Sequence, residues 1–363
     1  MKIGMMGAWN TDSGASMHAE LIGRSFVEKG HEIAVFTFFK HSFHGTAILR
    51  EDEDYVTRCF TVSSDKKPEL LATPFLINNY KFFVVEDLGM LPQDHLGKIF
   101  NWIKKKAKTI NVIHDGNLKE DPSFYQFDWD AIVCFDKRYF NFLKLAYPEK
   151  IIHIIPYPCL PWHPGDRVKS RKKLGLPLDK KIILLFGPSS QYGVDKYHII
   201  KELEVDYPIL VLVVTKHSES LARWHEIAHS KFYDRNNKPI EVREEALQID
   251  KLYEYLYAAD LLLYNKPGNP GIVTVASTAF QCLGSGCPFV ALKSTFVENL
   301  RNTVYQYENE DELKSCLLSV FKRDTQYEEI MHRAREFVEE NSAKNIARKF
   351  IELFKLLNRE VKI

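Results

Sequence analysis

No apolar run in the 363 residues approaches the roughly 20 that span a bilayer. The longest unbroken one, ILVLVV at 209–214, has the length of a strand. Lys2 is followed by only a few apolar residues before Trp9-Asn10-Thr11-Asp12, so the sequence predicts no signal peptide. Cysteine is sparse and scattered: Cys59, Cys134, Cys159, Cys282, Cys287 and Cys316 form no CxxC pair and no cluster with histidine. That pattern predicts reduced, buried thiols in a cytoplasmic protein. Charge of one sign is also missing, because 49 Lys and Arg face 48 Asp and Glu for a net +1. A nucleic-acid binder would carry a basic excess, so nucleic acid is not an expected partner. No short-period repeat or low-complexity tract interrupts the chain. What is present is ample core material: 45% hydrophobic residues, including 24 Phe and 17 Tyr, which excludes whole-chain disorder. At ~150 residues per domain, the length predicts about two domains.

The amino end reads as a βαβ unit. Residues 2–6 form a short apolar strand and 7–16 a loop of small and polar residues. Met17, Leu21, Ile22, Ser25 and Phe26 then line one face of a helix running to Lys29, which Gly30 stops before the strand HEIAVFTFF at 31–39. Further strand-like runs occupy 82–87, 110–115, 131–135 and 150–156. The stretch PYPCLPWHPG at 156–165 holds four prolines in ten residues and cannot lie inside an element, so it is the best boundary and a candidate hinge for closure. Strand and helix alternation then restarts, with strands at 180–187, 207–214, 241–246, 259–264 and 287–292. The pattern predicts two α/β halves, each a doubly wound parallel sheet, and one or two terminal helices over the last 35 residues.

Ligands of such sheets bind beyond the carboxyl ends of the strands. A dinucleotide site is unlike this sequence: Gly4, Gly7 and Gly14 do not make GxGxxG, and Thr37-Phe38-Phe39 stands where a ribose-binding acid would close the second strand. There is no GxxxxGK[ST] either. The order of segments instead resembles the GT-B glycosyltransferases, and within them the family-4 group of retaining, nucleotide-sugar-dependent enzymes. The resemblance is carried by 9–37, by VIHDGN at 112–117 and by the linker and second opening at 154–187. It continues through LYEYLYAADLLLYN at 252–265, FQCLGSGCPFVAL at 280–292 and the stretch 305–324. It implies the GT-B fold, with two Rossmann-like domains facing across a cleft. An acceptor domain would cover 1–158 and a nucleotide-sugar domain 166–344, with a terminal helix at about 345–363 packing back on the first. It implies transfer of a sugar from a nucleotide-sugar, the co-substrate, to an acceptor hydroxyl. Configuration would be retained, with no metal and no cofactor. The acceptor would be a sugar, a glycan or a lipid-linked acceptor.

Two departures from the family pattern stand out. Members carry Arg and Lys after the first strand of the second domain, whereas Gly187-Pro188-Ser189-Ser190-Gln191-Tyr192-Gly193 has neither. The family's paired glutamates align with Val273 and Gln281. A GT-B-shaped binding or scaffold protein without turnover, or a sugar-nucleotide epimerase or hydrolase on the same fold, therefore remains an alternative.

The expected donor site is built from neutral groups. The loop 266–278 runs into a helix ending near Gly284, so free N–H groups, Gly271 and the hydroxyls of Thr274, Ser277 and Thr278 can cradle a diphosphate. Lys266 would replace the missing cations. Gln281 can hydrogen-bond a hydroxyl, Ser189 and Ser190 can reach the same phosphates, and Lys216 ends the next strand. An ordinary turn and N-cap is the plainer reading of the cradle. Gly14 would let the first loop approach a phosphate closely. Asp12 or His18 could serve as a base in an inverting reaction, which a retaining one does not need. His114 and Asp115 end a central strand, and the resemblance places His114 at the donor sugar. Asp128-Trp129-Asp130 spells DxD but precedes its strand, so no metal role is assigned. Residues 98–108 form a basic amphipathic helix with Ile99, Trp102 and Ile103 on one face, read chiefly as core-facing, with weak peripheral contact at the inner membrane face as the other reading.

Overall fold

The structure, a computed structural model, describes residues 1–228, 239–300 and 302–359. The chain divides into two compact units: Met1–Pro158 with Gly271–Ser277 and the segment from Asn341 onward, and Cys159–Pro270 with Thr278–Glu340. The last four residues of the expected terminal helix lie outside the described residues.

In the first unit the chain runs β1 (Lys2–Met6), α1 (Gly14–Glu28), β2 (Glu32–Phe38), β3 (Val56–Phe60), α2 (Ala72–Ile77), β4 (Phe82–Glu86), α3 (Gln93–Lys106), β5 (Lys108–Val112), β6 (Ala131–Cys134), α4 (Lys137–Leu143) and β7 (Ile152–Ile154). The strands form one parallel sheet in the order β3-β2-β1-β4-β5-β6-β7. Sheets of this kind are covered on both faces, so their strands read as unbroken apolar runs; β4, FFVVE, is buried along its whole length. α1 starts where the Ser13 hydroxyl accepts from Ser16 N at 3.2 Å, and the chain leaves it through Gly30 at φ +76°. The order of strands reverses between β1 and β4, and their carboxyl ends are where a ligand of this sheet binds. A Cβ on Gly7 would lie 2.7 Å from the Glu86 Cβ, so glycine there is what lets the two strand ends approach.

The second unit contains α5 (Arg167–Leu174), β8 (Lys181–Phe186), α6 (Tyr197–Glu202), β9 (Ile209–Val214), α7 (Ser218–Ala228), β10 (Ile240–Arg243), α8 (Ile249–Ala258), β11 (Leu261–Tyr264), α9 (Ser277–Cys282), β12 (Phe289–Leu292), β13 (Tyr305–Tyr307), α10 (Glu310–Lys322) and α11 (Thr325–Glu340). Its parallel sheet has the order β10-β9-β8-β11-β12-β13, with the reversal between β8 and β11. The helix expected to run to Gly284 is α9 alone, after which Leu283–Ser285 tightens to a 3₁₀ turn that Gly286 closes at φ +71°. Asp260 anchors this sheet from beneath: its carboxylate accepts from Arg171 at 2.7 Å, Arg167 at 2.9 Å and the Ile182 N–H at 2.7 Å.

The last helix, α12 (Ala343–Arg359), belongs to the first unit. Phe354 stacks on Phe82 of β4 with ring centroids 4.4 Å apart, and Phe350 meets Phe26 of α1 edge-on at 6.3 Å. The basic helix is α3. Leu96, Ile99, Phe100 and Ile103 are buried, whereas Trp102 is 62% exposed with the Lys105 ammonium 5.0 Å from its ring centre, so Trp102 does not share the face of Ile99 and Ile103. Asp130 of the DxD accepts from the Thr109 N–H at 2.9 Å and from Lys108 at 2.8 Å, tying the start of β5 to the turn before β6. All six cysteines are buried and unpaired.

Candidate functional site

At the reversal in the first sheet, three side chains from three elements meet. Glu86 ends β4 with its side chain wholly buried. His18, in the second turn of α1, points its Nδ1 at Glu86 Oε2 from 2.9 Å, and His114, two residues past β5, points its Nε2 at the same oxygen from 3.1 Å. The two imidazoles stand edge to face with centroids 5.2 Å apart. Phe135 packs against both rings, and Tyr157 and Phe350 close around His18. Tyr157 in turn donates to the Gly14 carbonyl at 2.6 Å.

The electrostatics follow from that packing. Burial disfavours the Glu86 charge, but the two imidazoles outweigh it and hold the carboxyl well below the usual range. Burial pushes His18 down, a trend the Glu86 charge opposes without reversing. For His114 burial acts downward too, and is outweighed by the hydrogen bond to Glu86 and the charges of Asp87, Glu86 and Asp115, so its pKa rises. Burial pushes the neighbouring Asp87 carboxyl up; its backbone is left-handed at φ 57°. Two histidines and a glutamate are also the ligand types of a transition-metal site. A central ion would sit ~2 Å from each ligand atom. Here both nitrogens address one oxygen, while Glu86 Oε1 and His18 Nε2 have no partner. That is the geometry of a shared acceptor.

Around this cluster lie the other expected residues of the first unit. Asp115 is ion-paired with Lys119, and a Cβ on Gly89 would stand 2.8 Å from its Oδ2. Gly89, Gln93, Asn117, Lys119, Glu120 and Asp121 border a polar hollow of about 450 Å³. The Asp12 carboxylate is engaged: it accepts from Thr46 N at 2.6 Å, from Ala47 N at 3.0 Å and from the Thr46 hydroxyl, which fixes the loop at 45–47. The loop 271–277 is brought to the same strand ends. Val273 N donates to Gly116 O at 2.9 Å and Arg138 donates to Thr274 O at 3.3 Å. A Cβ on Gly14 would lie 2.9 Å from Ser277 Oγ. Gly14, His114, Asp115, Thr274 and Ser277 thus share one region of the first unit, and Gly271, at φ +80°, opens the loop.

The remaining expected residues lie in the second unit. Ser189 and Ser190 follow β8, and their hydroxyls donate to the carbonyls of Phe186 at 3.3 Å and Gly187 at 2.7 Å. Lys216 is exposed beyond β9. Lys266, just past β11, lies 4.3 Å from the centre of the Phe296 ring, and burial lowers its pKa. Thr278 and Gln281 are half-buried on α9, with Tyr253 donating to the Gln281 carbonyl at 3.2 Å. Asn265, buried between Tyr192 and Tyr307 at the end of β11, bridges the carbonyl of one and the hydroxyl of the other.

Sequence reasoning did not single out Glu86 or Asn265. Glu86 left one trace, an acid closing an all-apolar strand next to a strand that ends in His114. Asn265 left none.

No protein-family model matches the sequence. Solved structures do resemble the fold. A sucrose-phosphate synthase from Thermosynechococcus elongatus superposes with a TM-score of 0.68 at 12% identity, covering 99% of this chain and 100% of its own. A glycosyltransferase from Rickettsia africae gives 0.68 at 15%, covering 98% of each chain. Anabaena HepE, solved in complex with UDP-glucose, gives 0.68 at 14%, covering 98% of this chain and 99% of its own. The two α/β units therefore make the GT-B fold.

Proposed function

We propose that this chain is a glycosyltransferase that moves a sugar from a nucleotide-sugar to an acceptor hydroxyl, with retained configuration and without a metal, in the manner of the family-4 enzymes its sequence resembles. The observation that carries the reading is the GT-B fold over nearly the whole chain together with polar groups gathered at the sheet reversals, His114 and Asp115 at one and Ser189, Ser190 and Lys266 at the other.

In this reading the diphosphate is held by backbone N–H groups, by the hydroxyls of Thr274, Ser277 and Thr278, and by Lys266, with Gln281 on a sugar or ribose hydroxyl. Asp115 acts at the transferring sugar, and His114 near its reacting carbon, where the bond to the leaving phosphate breaks. Asp12 does not need to serve as a base, since the leaving phosphate takes the acceptor proton in a retaining reaction; its carboxylate already holds the loop at 45–47. The hollow bordered by Gln93, Asn117, Lys119 and Asp121 offers amides and charges to hydroxyl groups, which suits a sugar or glycan acceptor. Catalysis then rests on positioning and on preorganised donors around the leaving group.

The test is product analysis with UDP-, GDP- and ADP-sugars carrying ¹³C at the anomeric carbon, incubated with a mixed glycan acceptor pool. A new glycoside with the donor's anomeric configuration is the expected result. An inverted glycoside would overturn retention. Free labelled sugar alone, or an epimerised donor, would favour a hydrolase or an epimerase over a transferase.

A further inference from the structure

Resting on the transferase reading, we infer that Glu86 and His18 are positioning residues that hold His114 as an imidazolium, a fixed positive charge presented to a phosphate oxygen of the donor nucleotide.

The Glu86 carboxylate is wholly buried, and a buried carboxylate needs hydrogen-bond donors and an opposite charge. Two imidazoles supply the donors, each giving an N–H to Oε2. Only one of them is placed to supply the charge. His18 is fully enclosed and its Nε2 has no partner, so a second proton there would bury an N–H with no acceptor. It is therefore the neutral tautomer protonated at Nδ1. His114 is 12% exposed, and its Nδ1 has no hydrogen-bond partner among the described residues, so a second N–H there can meet water or a ligand.

The groups that face His114 agree with this assignment. Glu86 and Asp87 approach from the end of β4, Asp115 from its own loop and His18 from α1. Phe135 adds a ring without formal charge. Lys119 is ion-paired with Asp115. Of the three acids, Glu86 stays charged and Asp87 is pushed toward its neutral form by burial. The directions found for His18, downward, and His114, upward, are those the geometry requires.

An imidazolium with one N–H on Glu86 has its other N–H free to donate and no lone pair to accept a proton. His114 therefore cannot act as the base for the acceptor, and its contribution is to hold negative charge. No bond is made or broken at the ring, and its protons stay where they are throughout the reaction.

The test has two readouts on the whole chain. Selective ¹⁵N-histidine labelling, with His114→Gln to assign the ring, reports protonation in the absence of any ligand. At pH 7 His114 is expected to be doubly protonated and His18 neutral, and the His114 midpoint is expected to fall in Glu86→Gln. A neutral His114 at pH 7 overturns the proposal, and this result needs only the unmodified chain, so it stands even if Glu86→Gln does not fold. The second readout is calorimetric titration with UDP, GDP and ADP between pH 6 and 8.5, comparing the unmodified chain with His114→Gln. Affinity is expected to weaken on the order of tenfold or more relative to His114→Gln as pH rises through the midpoint, the weight of a charge-assisted hydrogen bond. Parallel pH profiles in the two proteins would overturn the phosphate contact. Failure of all three nucleotides to bind would overturn the transferase reading instead, with the ring-nitrogen result unaffected.

Discussion

At the scale of single residues, the buried Glu86 is the point on which the first unit's strand ends depend. Removing one partner of a buried charged cluster leaves the others uncompensated, at a cost of about 3–5 kcal/mol. Glu86→Ala should lower unfolding stability by that amount near pH 6, as read by urea denaturation. The sign of its pH dependence follows from the two histidines. His114 lies above its usual 6.5 in the folded chain, so its share of stability is complete below 6.5 and is lost as pH rises through the folded value. His18 lies below 6.5, so its share is present above 6.5 and is lost as pH falls. The Glu86→Ala penalty should therefore shrink as pH rises past the His114 midpoint; a penalty that grows there would contradict the assignment. Gly7→Ala should act on the same cluster indirectly, because its Cβ would meet Glu86 at 2.7 Å. His114 was legible in the sequence because a polar residue after an apolar strand falls at the ligand-binding edge of a parallel sheet. Glu86 was not, because its inward turn depends on Gly7 from β1 and His18 from α1, which no local pattern couples.

Secondary-structure elements tell a similar story in larger pieces. α12 is held by aromatic stacking on β4 and α1, and Phe354→Ala should cost about 3–5 kcal/mol, the range for truncating a buried phenylalanine. Thermal unfolding that shifts by less than a degree or two would show that α12 does not carry this packing. Trp102→Ala on α3, by contrast, should stay within about 0.5 kcal/mol of the parent, since the ring is largely in solvent. The long strands and α1 were readable because unbroken apolar runs and a 3.6-residue period survive any tertiary context. β3 and β13 were not: their sequences, VTRCF and YQY, hold no apolar run long enough to read as a strand. Trp102 was placed on the wrong face because helical spacing groups residues 99, 102 and 103, whereas the buried stripe runs through 96, 99, 100 and 103.

For the whole molecule, the near-zero net charge and the cation-free stretch 187–193 describe the same property. In the proposed transferase an anionic donor is held by backbone amides, hydroxyls and a few placed cations, instead of by a broadly positive surface. The proline-rich segment at 156–165 marked the division of the chain in sequence because four prolines cannot be absorbed into an element; the return of 271–277 to the first unit left no such mark, since it rests on single backbone contacts such as Val273 N to Gly116 O. Replacing Ser277 and Thr278 together by leucine should remove donor hydroxyls and fill the cradle, reducing nucleotide affinity by at least tenfold in calorimetry; unchanged affinity would displace the diphosphate from this loop.

The most direct test of the central claim is thermal unfolding of the whole chain with UDP-, GDP- and ADP-sugars and the free nucleotides. A ligand that binds only the folded state stabilises it by about 2.7 kcal/mol at a hundred times its Kd. Saturable stabilisation by one nucleotide and its sugar conjugates, and not by the others, is the result predicted here. An unchanged unfolding temperature with every one of them at millimolar concentration would contradict a nucleotide-sugar-dependent transferase.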